Sequence, residues 1–264
     1  MMKKFLVIGN PINHSLSPQL HNYWIKKNNI NGIYNKEKLD SNDLKNLILR
    51  IRSKEINGIN VTVPFKKEII LHCDELSLEA QSTQSVNTIY LDNSKIIGHN
   101  TDINGFELGV KDTKYNVSGK KILILGAGGV VSSIIFALNR MGASKITVSN
   151  RTKIKAEALK DLFNNLEVVD WGEIPYFDMI INATSLGLSD KDKINLDFSN
   201  VKGKFFYDVI YNPKETNFLK FAKLMGNKVE NGKKMFIHQA AAAFKIWHGV
   251  KPEINEETNK LLDL

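Results

Sequence analysis

The sequence predicts an α/β protein of two halves, and the clearest evidence is in the second half. Lys120–Leu125 is a short, mostly apolar run that ends at a glycine cluster, as buried parallel strands often do. Apolar residues then recur at helical spacing up to Met141, and Ile146–Thr152 follows as a second strand. Met179–Ile181 and Phe205–Val209 add two more buried strands. We therefore expect a βαβ unit within a Rossmann-like, doubly wound parallel sheet.

The first half also alternates between strand and helix patterns. Ser17-Pro18 has the form of an N-cap followed by proline at the first helical position. Asp92-Asn93-Ser94 separates two strand-like runs and predicts a hairpin. The predicted strands are Lys3–Ile8, Ile33–Tyr34, Gly58–Val63, Val86–Leu91 and Lys95–Gly98, and the predicted helices are Ser17–Lys27, Leu44–Arg50, Phe65–Leu71, Glu75–Gln81 and Thr101–Val110.

The same alternation continues after the βαβ unit. A short strand is expected around Val168, and helices are expected at Lys153–Phe163, Phe218–Leu224 and Met235–Trp247. The two halves meet near residue 101. The last of these helices is strongly apolar and needs a surface to pack against, and it is free to return to the first half.

The composition excludes several classes of protein. The 264 residues are 42% hydrophobic and 24% charged, which is ordinary for a globular chain with ample core. The 36 Lys and Arg against 28 Asp and Glu give a net charge of +8, but the lysines stand mostly singly or in pairs. Such a diffuse basic surface favours anionic small molecules over nucleic acid. No window approaches a membrane span, and Phe5–Ile8 is too short for a signal-peptide core, so we expect no membrane partner and a cytoplasmic location.

Cysteine and histidine do not indicate a metal. Cys73 is the single cysteine, which excludes an internal disulfide framework. His14, His21 and Cys73 match no zinc-binding spacing. We therefore expect no metal site.

The turn after the first strand of the βαβ unit predicts dinucleotide binding. Gly126 allows a tight turn, and Gly128 lets the backbone approach a pyrophosphate. The following helix N-terminus offers N–H groups and the positive end of a dipole to that anion. Val131 replaces the usual third Gly or Ala, and an incidental tight turn is the alternative interpretation. The cofactor residues predicted from this turn are Gly126, Ala127, Gly128, Gly129 and Val130.

The end of the second strand of the unit indicates NADP rather than NAD. An NAD enzyme usually has Asp or Glu there, to bind the ribose 2′-hydroxyl. This chain has Asn150, Arg151 and Thr152, followed by Lys153 and Lys155. A guanidinium binds a 2′-phosphate bidentately, whereas a carboxylate would repel it. A solvated, basic start of a helix is the alternative.

Polar residues in the first half are candidates for binding a small anion. Ser15 and Ser17 lie on one loop at a predicted helix start, where hydroxyl and N–H groups can converge on a carboxylate. Simple capping is the alternative role for Ser17. Asn60 and Thr62 alternate with valines and so share one face of the predicted strand, which could equally face solvent.

With these motifs in order along nearly the whole chain, the sequence resembles the shikimate dehydrogenase family. Any one motif could arise by chance, but the ordered set is highly specific. The motifs are Gly9–Pro11, His14–Pro18, Asn60–Lys66, Val86–Thr88, Gly98–Asp102, Gly126–Val130, Asn150–Thr152, Asn182–Ser185, Tyr207–Pro213 and Asn231-Gly232 with Met235 and Gln239-Ala240.

The resemblance implies the NADPH-dependent, reversible reduction of 3-dehydroshikimate to shikimate in aromatic amino-acid biosynthesis. It implies that Lys66 is the catalytic residue and Asp102 its partner. Because hydride chemistry belongs to the cofactor, the enzyme must supply a proton to the nascent alkoxide, and an ammonium can donate it. The resemblance also implies residues 1–101 and 237–264 as the substrate-binding domain and residues 102–236 as the NADP-binding domain.

Further site residues follow from the same resemblance. Asn87, Tyr211 and Gln239 match substrate contacts, together with Ser15, Ser17, Asn60, Thr62 and Asp102. A buried amide such as that of Gln239 needs a partner, either ligand or backbone. Thr184, Val209, Gly232 and Met235 match positions that line the nicotinamide side, and core packing is the alternative for Val209 and Met235. Asn150, Arg151, Thr152 and Lys155 complete the expected cofactor contacts.

Two alternative functions stay open at this point. One is a paralogue that oxidises quinate or an amino analogue. The other is a non-catalytic, NADPH-binding regulator on the same fold, although such a protein needs neither Lys66 nor Asp102. The expected partners are shikimate and 3-dehydroshikimate, and a homodimer is left open.

Overall fold

The structure is a computed structural model, and it describes residues 2–189 and 191–263. The chain forms two compact units. The first unit contains Met1–Gly105 and Ile237–Leu264, and the second contains Phe106–Phe236. The division of the chain into a substrate-binding and an NADP-binding domain stays a prediction.

The first unit is built on a six-stranded mixed sheet. Its elements are β1 (Lys3–Gly9), α1 (Ser17–Lys27), β2 (Gly32–Lys38), α2 (Leu44–Arg52), β3 (Gly58–Val61), β4 (Glu75–Leu76), α3 (Leu78–Thr83), β5 (Thr88–Asp92), β6 (Lys95–His99) and the start of α4 (Asp102–Lys111). The strand order is β2-β1-β3-β5-β6-β4. β1 is parallel to β2 and β3, while β5 is antiparallel to both of its neighbours.

The second unit contains a six-stranded sheet whose pairings are all parallel. Its elements are β7 (Lys121–Leu125), α5 (Val131–Arg140), β8 (Lys145–Ser149), α6 (Lys153–Glu157), β9 (Leu166–Val169), β10 (Met179–Asn182), β11 (Phe205–Asp208), α7 (Asn217–Leu224) and β12 (Lys228–Glu230). The order is β12-β11-β10-β7-β8-β9. Counted from β7, this is the Rossmann order 3-2-1-4-5-6 read in reverse, which confirms the predicted fold class.

The last two helices are α8 (Lys233–His248) and α9 (Glu256–Leu261). Helix α8 begins in the second unit and ends in the first, where its Trp247 ring lies 5.2 Å from that of Phe5 on β1. The predicted return of the C-terminal helix to the first half is therefore observed.

Several local predictions were wrong. Strand β3 ends at Val61, before the Val63-Pro64 turn, so Thr62 lies outside the strand. The helix predicted from Phe65 is a short 3₁₀ helix at Glu68–His72. The helix predicted from Glu75 starts only at Leu78, because Ser77 caps it by accepting from the Ala80 N–H at 3.2 Å.

Three elements were missed, namely β4, β12 and α9, and one helix was predicted too long. Strand β4 takes the first two residues of the helix predicted from Glu75. Strand β12 has only three residues, too few for a periodic pattern. Helix α9 starts with a capping box between Asn255 and Thr258, and this N-terminal pattern is readable in the sequence. The helix predicted at Lys153–Phe163 divides into α6 and a 3₁₀ turn at Ala158–Asp161.

An aromatic cluster fills one side of the sheet in the first unit. At its centre the imidazole of His21 stacks on the Tyr34 ring at 4.2 Å and an angle of 4°. The rings of Trp24 and Trp247 lie 5.8 and 5.5 Å from His21. Both nitrogens of the imidazole are buried without a hydrogen-bond partner among the described residues. This burial lowers the pKa of His21 to about 3, with a smaller contribution from the nearby His248.

The buried His21 should make the protein sensitive to acid. An unfolded histidine takes up a proton near pH ~6.5, whereas His21 in the folded protein stays neutral down to about 3. Its contribution to stability is therefore present above pH ~6.5 and is lost as the pH falls. At pH 5 the loss from this residue should be about 2 kcal/mol. Urea unfolding of wild type and His21→Phe at pH 7.5 and 5 will measure it.

The phenylalanine keeps an aromatic ring in the cluster but removes the titrating group. His14 is exposed, so His14→Gln serves as the control and should retain the wild-type dependence on pH. Equal losses of stability in wild type and His21→Phe between these two pH values would contradict the assignment.

Candidate active site

The centre of the candidate site is a buried ion pair between Lys66 and Asp102. Lys66 Nζ lies 2.5 Å from Asp102 Oδ2, and the two side chains are 11% and 7% exposed. The backbone of Lys66 is fixed because its carbonyl accepts from the Val86 N–H at 2.8 Å. Asp102 is the first residue of α4, and its N–H donates to Asn100 Oδ1 at 3.0 Å. The structure thus brings together two residues that are 36 positions apart in the chain.

Asn87 connects this pair to the rest of the unit. Its Nδ2 donates to Asp102 Oδ1 and to Thr101 Oγ1, both at 2.9 Å. Its Oδ1 accepts from the Thr101 N–H at 2.8 Å and from the Thr88 hydroxyl at 2.9 Å. Both amide hydrogens of Asn87 are therefore already used within the protein.

Asn60 belongs to the same network. It is buried on β3, and its Nδ2 donates to the Asn87 carbonyl and to Thr88 Oγ1, both at 3.1 Å. Its Oδ1 accepts from the Tyr34 phenol at 2.7 Å. Asn60 thus points into the protein, which excludes the solvent-facing alternative. Thr62 does not share its strand face as predicted, because the strand has ended, and its side chain is half-buried.

Ser15 and Ser17 lie where the chain enters α1, but their local roles differ from the prediction. Ser17 is the first helical residue and not the N-cap, which is Leu16. Ser15 instead supports the helix start, since its Oγ accepts from the Ser17 N–H at 3.3 Å. The Ser17 hydroxyl lies next to the phenol of Tyr34, a buried residue to which the sequence assigned no role.

The other two predicted substrate residues lie in different units. Gln239 is half-buried on α8 in the first unit. Tyr211 is in the second unit, where its ring stacks on Phe236 at 4.4 Å and 24°. Their contact with a common substrate stays a prediction.

The glycine turn has the backbone that a dinucleotide site requires. Gly126 has φ of +112°, and a Cβ there would lie 2.8 Å from the Ala183 carbonyl oxygen, so only glycine fits. A Cβ on Gly128 would come no closer than 4.0 Å to any atom beyond its chain neighbours, so the space beside it is open. Ala127, Gly129 and Val130 complete the turn, and α5 follows directly. These residues fit a pyrophosphate lying against the backbone and the helix N-terminus.

The predicted 2′-phosphate segment follows the end of β8. Arg151, Thr152 and Lys155 are exposed, and the Asn150 amide donates to the Thr152 carbonyl at 2.8 Å. Lys153 Nζ forms an ion pair with Asp170 Oδ1 at 2.9 Å, so its charge already has a partner within the protein. Within residues 2–189 and 191–263, Arg151 has no ion-pair partner, so its guanidinium can receive a phosphate.

A buried polar network lies at the ends of β10 and β11. The Thr184 hydroxyl donates to Asn182 Oδ1 at 2.7 Å, and Asn182 Nδ2 donates to Asp208 Oδ1 at 3.0 Å. Asp208 also accepts from the Thr216 hydroxyl at 2.6 Å. Burial raises the pKa of Asp208 to about 6 despite these hydrogen bonds. Asn182 and Asp208 lie within motifs that carry the family resemblance, but the sequence did not assign them a role.

The remaining predicted cofactor residues lie next to this network. Val209 is half-buried, and its N–H donates to the Asn182 carbonyl at 2.9 Å. Gly232 sits so close to this residue that a Cβ would lie 1.9 Å from the Val209 carbonyl oxygen. Met235 is buried on α8, and the packing alternative for it remains open.

Two further properties concern the described part of the chain. None of its helices is long and apolar enough to cross a membrane. Among residues 2–189 and 191–263, no group of three His, Cys, Asp or Glu side chains is arranged to hold a metal ion.

Comparison with known families identifies three matching segments. Residues 7–89 match the shikimate dehydrogenase substrate-binding domain, and residues 107–195 match the shikimate/quinate 5-dehydrogenase family. Residues 234–256 match the shikimate 5′-dehydrogenase C-terminal domain.

Individual relatives agree over the full length. The chain is 59% identical to the shikimate dehydrogenase (NADP(+)) of Pelagibacter ubique, with 100% of both chains covered. The crystal structure of shikimate dehydrogenase from Aquifex aeolicus is similar with a TM-score of 0.90 and 37% identity, over 99% of this chain and 97% of that one. Shikimate 5-dehydrogenase from Thermus thermophilus, solved with NADP(H) and shikimate, gives a TM-score of 0.89 and 31% identity, over 99% and 98% of the two chains. With the ordered motifs, the Rossmann strand order and the Lys66–Asp102 pair, these matches show that the chain belongs to the shikimate dehydrogenase family.

Proposed function

We propose that the protein is an NADP-dependent shikimate dehydrogenase, which reversibly reduces 3-dehydroshikimate to shikimate in the biosynthesis of aromatic amino acids. The main structural support is the buried Lys66–Asp102 pair, since a protein that only bound NADPH would not need it. The related Thermus thermophilus enzyme was solved with both NADP(H) and shikimate, and the Pelagibacter ubique relative is named for NADP.

In this proposal Lys66 supplies the proton of the reduction. NADPH, when bound, supplies the hydride that the carbonyl carbon accepts. The carbonyl oxygen then gains negative charge, and the Lys66 ammonium both stabilises that charge and donates a proton to it. Asp102 holds the ammonium in place through its Oδ2. The reverse reaction takes the proton from the substrate hydroxyl back to the Lys66 amine.

The first unit is proposed to bind the substrate. Ser15 and Ser17 would hold the carboxylate, because both hydroxyls lie at the start of α1. Asn60 would accept a hydrogen bond from a ring hydroxyl, since its amide hydrogens are donated within the unit and its Oδ1 accepts only from the Tyr34 phenol. Asn87 is fully hydrogen-bonded within the unit, so its proposed contact with the ligand requires it to exchange one of these partners. Donors to the ligand must then come from other side chains, and Lys66 is one of them. Thr62, Tyr211, Gln239 and Asp102 are the remaining proposed contacts.

The second unit is proposed to bind NADP. Gly126–Val130 would hold the pyrophosphate, and the segment from Asn150 to Lys155 would bind the 2′-phosphate chiefly through Arg151. Thr184, Val209, Gly232 and Met235 are proposed for the nicotinamide side. The domain borders predicted from the sequence, residues 1–101 with 237–264 and residues 102–236, are proposed on the same grounds.

The setting of the enzyme is also part of the proposal. We propose that it works in the cytoplasm on small molecules alone, as a biosynthetic dehydrogenase would. A homodimer is compatible with this activity but is not required by it.

Purified protein with shikimate and NADP⁺ tests the proposal directly. Absorbance of the reduced nicotinamide should rise with time and should require both compounds. NADPH binding without turnover of shikimate would reject the enzyme and favour the non-catalytic regulator.

Lys66→Ala should lower kcat about 10²–10⁴-fold, the usual contribution of a positioned acid or base. The Michaelis constant for shikimate should change little, because other residues hold the ring. Lys67→Ala is a matched control, since the neighbouring Lys67 is exposed and should be dispensable. Steady-state kinetics with circular dichroism will separate lost chemistry from lost folding. A folded Lys66→Ala enzyme that keeps a third of the wild-type kcat would refute the role.

Arg151→Asp should lower kcat/KM for NADP by about 10²-fold, because it removes a charge-assisted contact and adds repulsion. Use of NAD should change far less. Lys202→Asp makes the same change of charge at an exposed site before β11, on the amino-terminal edge of the sheet, and should leave both values unaltered. Parallel kinetics with the two cofactors provide the test. Equal losses for NADP and NAD would assign Arg151 a structural role.

Shikimate should be preferred over quinate by at least ~10²-fold in kcat/KM. Quinate has a tetrahedral carbon with an extra hydroxyl beside its carboxylate, and this group must fit against the loop of Ser15 and Ser17. Burying a hydroxyl without a partner costs about 1–3 kcal/mol, and moving the carboxylate costs more. Assays with both acids and NADP⁺ will decide. Comparable efficiencies would place the protein among quinate/shikimate dehydrogenases.

A further inference from the structure

Tyr34 is a buried residue of the first unit that lies between two proposed substrate contacts. It is 0% exposed, its phenol donates to Asn60 Oδ1 at 2.7 Å, and the Ser17 hydroxyl lies next to the phenol. The residue is fixed from two further directions. Its ring stacks on His21 at 4.2 Å, and its backbone N–H and carbonyl bind the Asn22 side chain of α1 at 2.9 and 2.7 Å. The phenol oxygen therefore has a defined position.

The direction of each hydrogen bond follows from the groups involved. Both hydrogens of Asn60 Nδ2 go to the Asn87 carbonyl and to Thr88 Oγ1, so it is Asn60 Oδ1 that faces Tyr34. An amide oxygen only accepts, so the Tyr34 phenol must donate to it.

These bonds continue to the proton donor. The Thr88 hydroxyl donates to Asn87 Oδ1 at 2.9 Å, and Asn87 Nδ2 donates to Asp102 Oδ1 at 2.9 Å. Asp102 then accepts from Lys66. An unbroken chain of hydrogen bonds thus leads from Tyr34 through Asn60 to the Lys66–Asp102 pair. Tyr34 is the member that no ligand needs to touch.

We propose that Tyr34 is a positioning residue for substrate binding, whose phenol fixes the Asn60 amide in the orientation that receives the substrate. This rests on the proposed function of the same site. Without the phenol, Asn60 Oδ1 loses its fixed partner. Asp102 and Lys66 are held separately by Asn87, Asn100 and the Lys66 backbone. Loss of the phenol should therefore weaken binding much more than it slows chemistry.

Tyr34→Phe tests this, because it keeps the ring that stacks on His21 and removes only the hydroxyl. The dissociation constant for shikimate, measured by calorimetry without cofactor, should rise about 10-fold, which corresponds to one or two hydrogen bonds. KM for shikimate should rise in parallel, while kcat stays within about 3-fold and KM for NADP does not change. Tyr23→Phe is the matched control: its phenol donates to Glu257 at 2.7 Å on the surface of the same unit, and its loss should alter none of these values.

A double-mutant cycle separates positioning from a general structural effect. Since Tyr34 acts through Asn60, Tyr34→Phe should weaken binding only about 3-fold when Asn60 is already alanine. The same factor in both backgrounds would overturn the proposal, as would a dissociation constant within twofold of wild type. Calorimetry keeps this test apart from the proposed activity. A wild type that binds shikimate without turning it over rejects the activity alone, whereas a wild type that does not bind shikimate overturns both.

Discussion

The packing of the first unit depends on the need to keep the opposite charges of Lys66 and Asp102 buried together. Desolvation of a lysine and a carboxylate costs several kcal/mol each, and their attraction compensates for this only when the other polar groups nearby are also satisfied. Residues just before β5 and α4 contribute the side chains that meet this condition. The Asn87 amide donates to the Asp102 carboxylate, and Asn100 Oδ1 accepts from the Asp102 N–H. Removing any of these groups would leave a buried polar atom without its partner.

The second unit is organised around a different buried carboxylate. Asp208 accepts from Asn182, Thr216 and the Ile210 N–H, and so joins the ends of two neighbouring strands to the start of the next helix. The effect of burial exceeds that of these hydrogen bonds and raises the pKa of Asp208 to about 6. The Thr184 hydroxyl is held by Asn182, so a predicted cofactor residue takes its orientation from this carboxylate network.

The sequence predicted the features that depend on neighbours in the chain. The apolar runs predicted every strand of the second sheet except β12, and the glycine turn was located because Gly126 and Gly128 are adjacent to a strand and a helix. Features set by distant partners were harder to predict. The Tyr34–Asn60 hydrogen bond, for example, joins residues 26 positions apart. The family motifs predicted that Lys66 and Asp102 act together. Their separation of 36 positions in the chain did not by itself indicate a contact.

The exposure of Arg151 has a consequence for how such an enzyme can change over time. The glycine turn is constrained by the backbone around it, since any side chain on Gly126 would collide with Ala183. Arg151 is instead an exposed side chain. If the proposed roles hold, selection or a protein engineer can therefore alter the choice of nicotinamide cofactor independently of the residues that hold its pyrophosphate. Drift between cofactor preferences among related dehydrogenases should be concentrated in the few residues after β8.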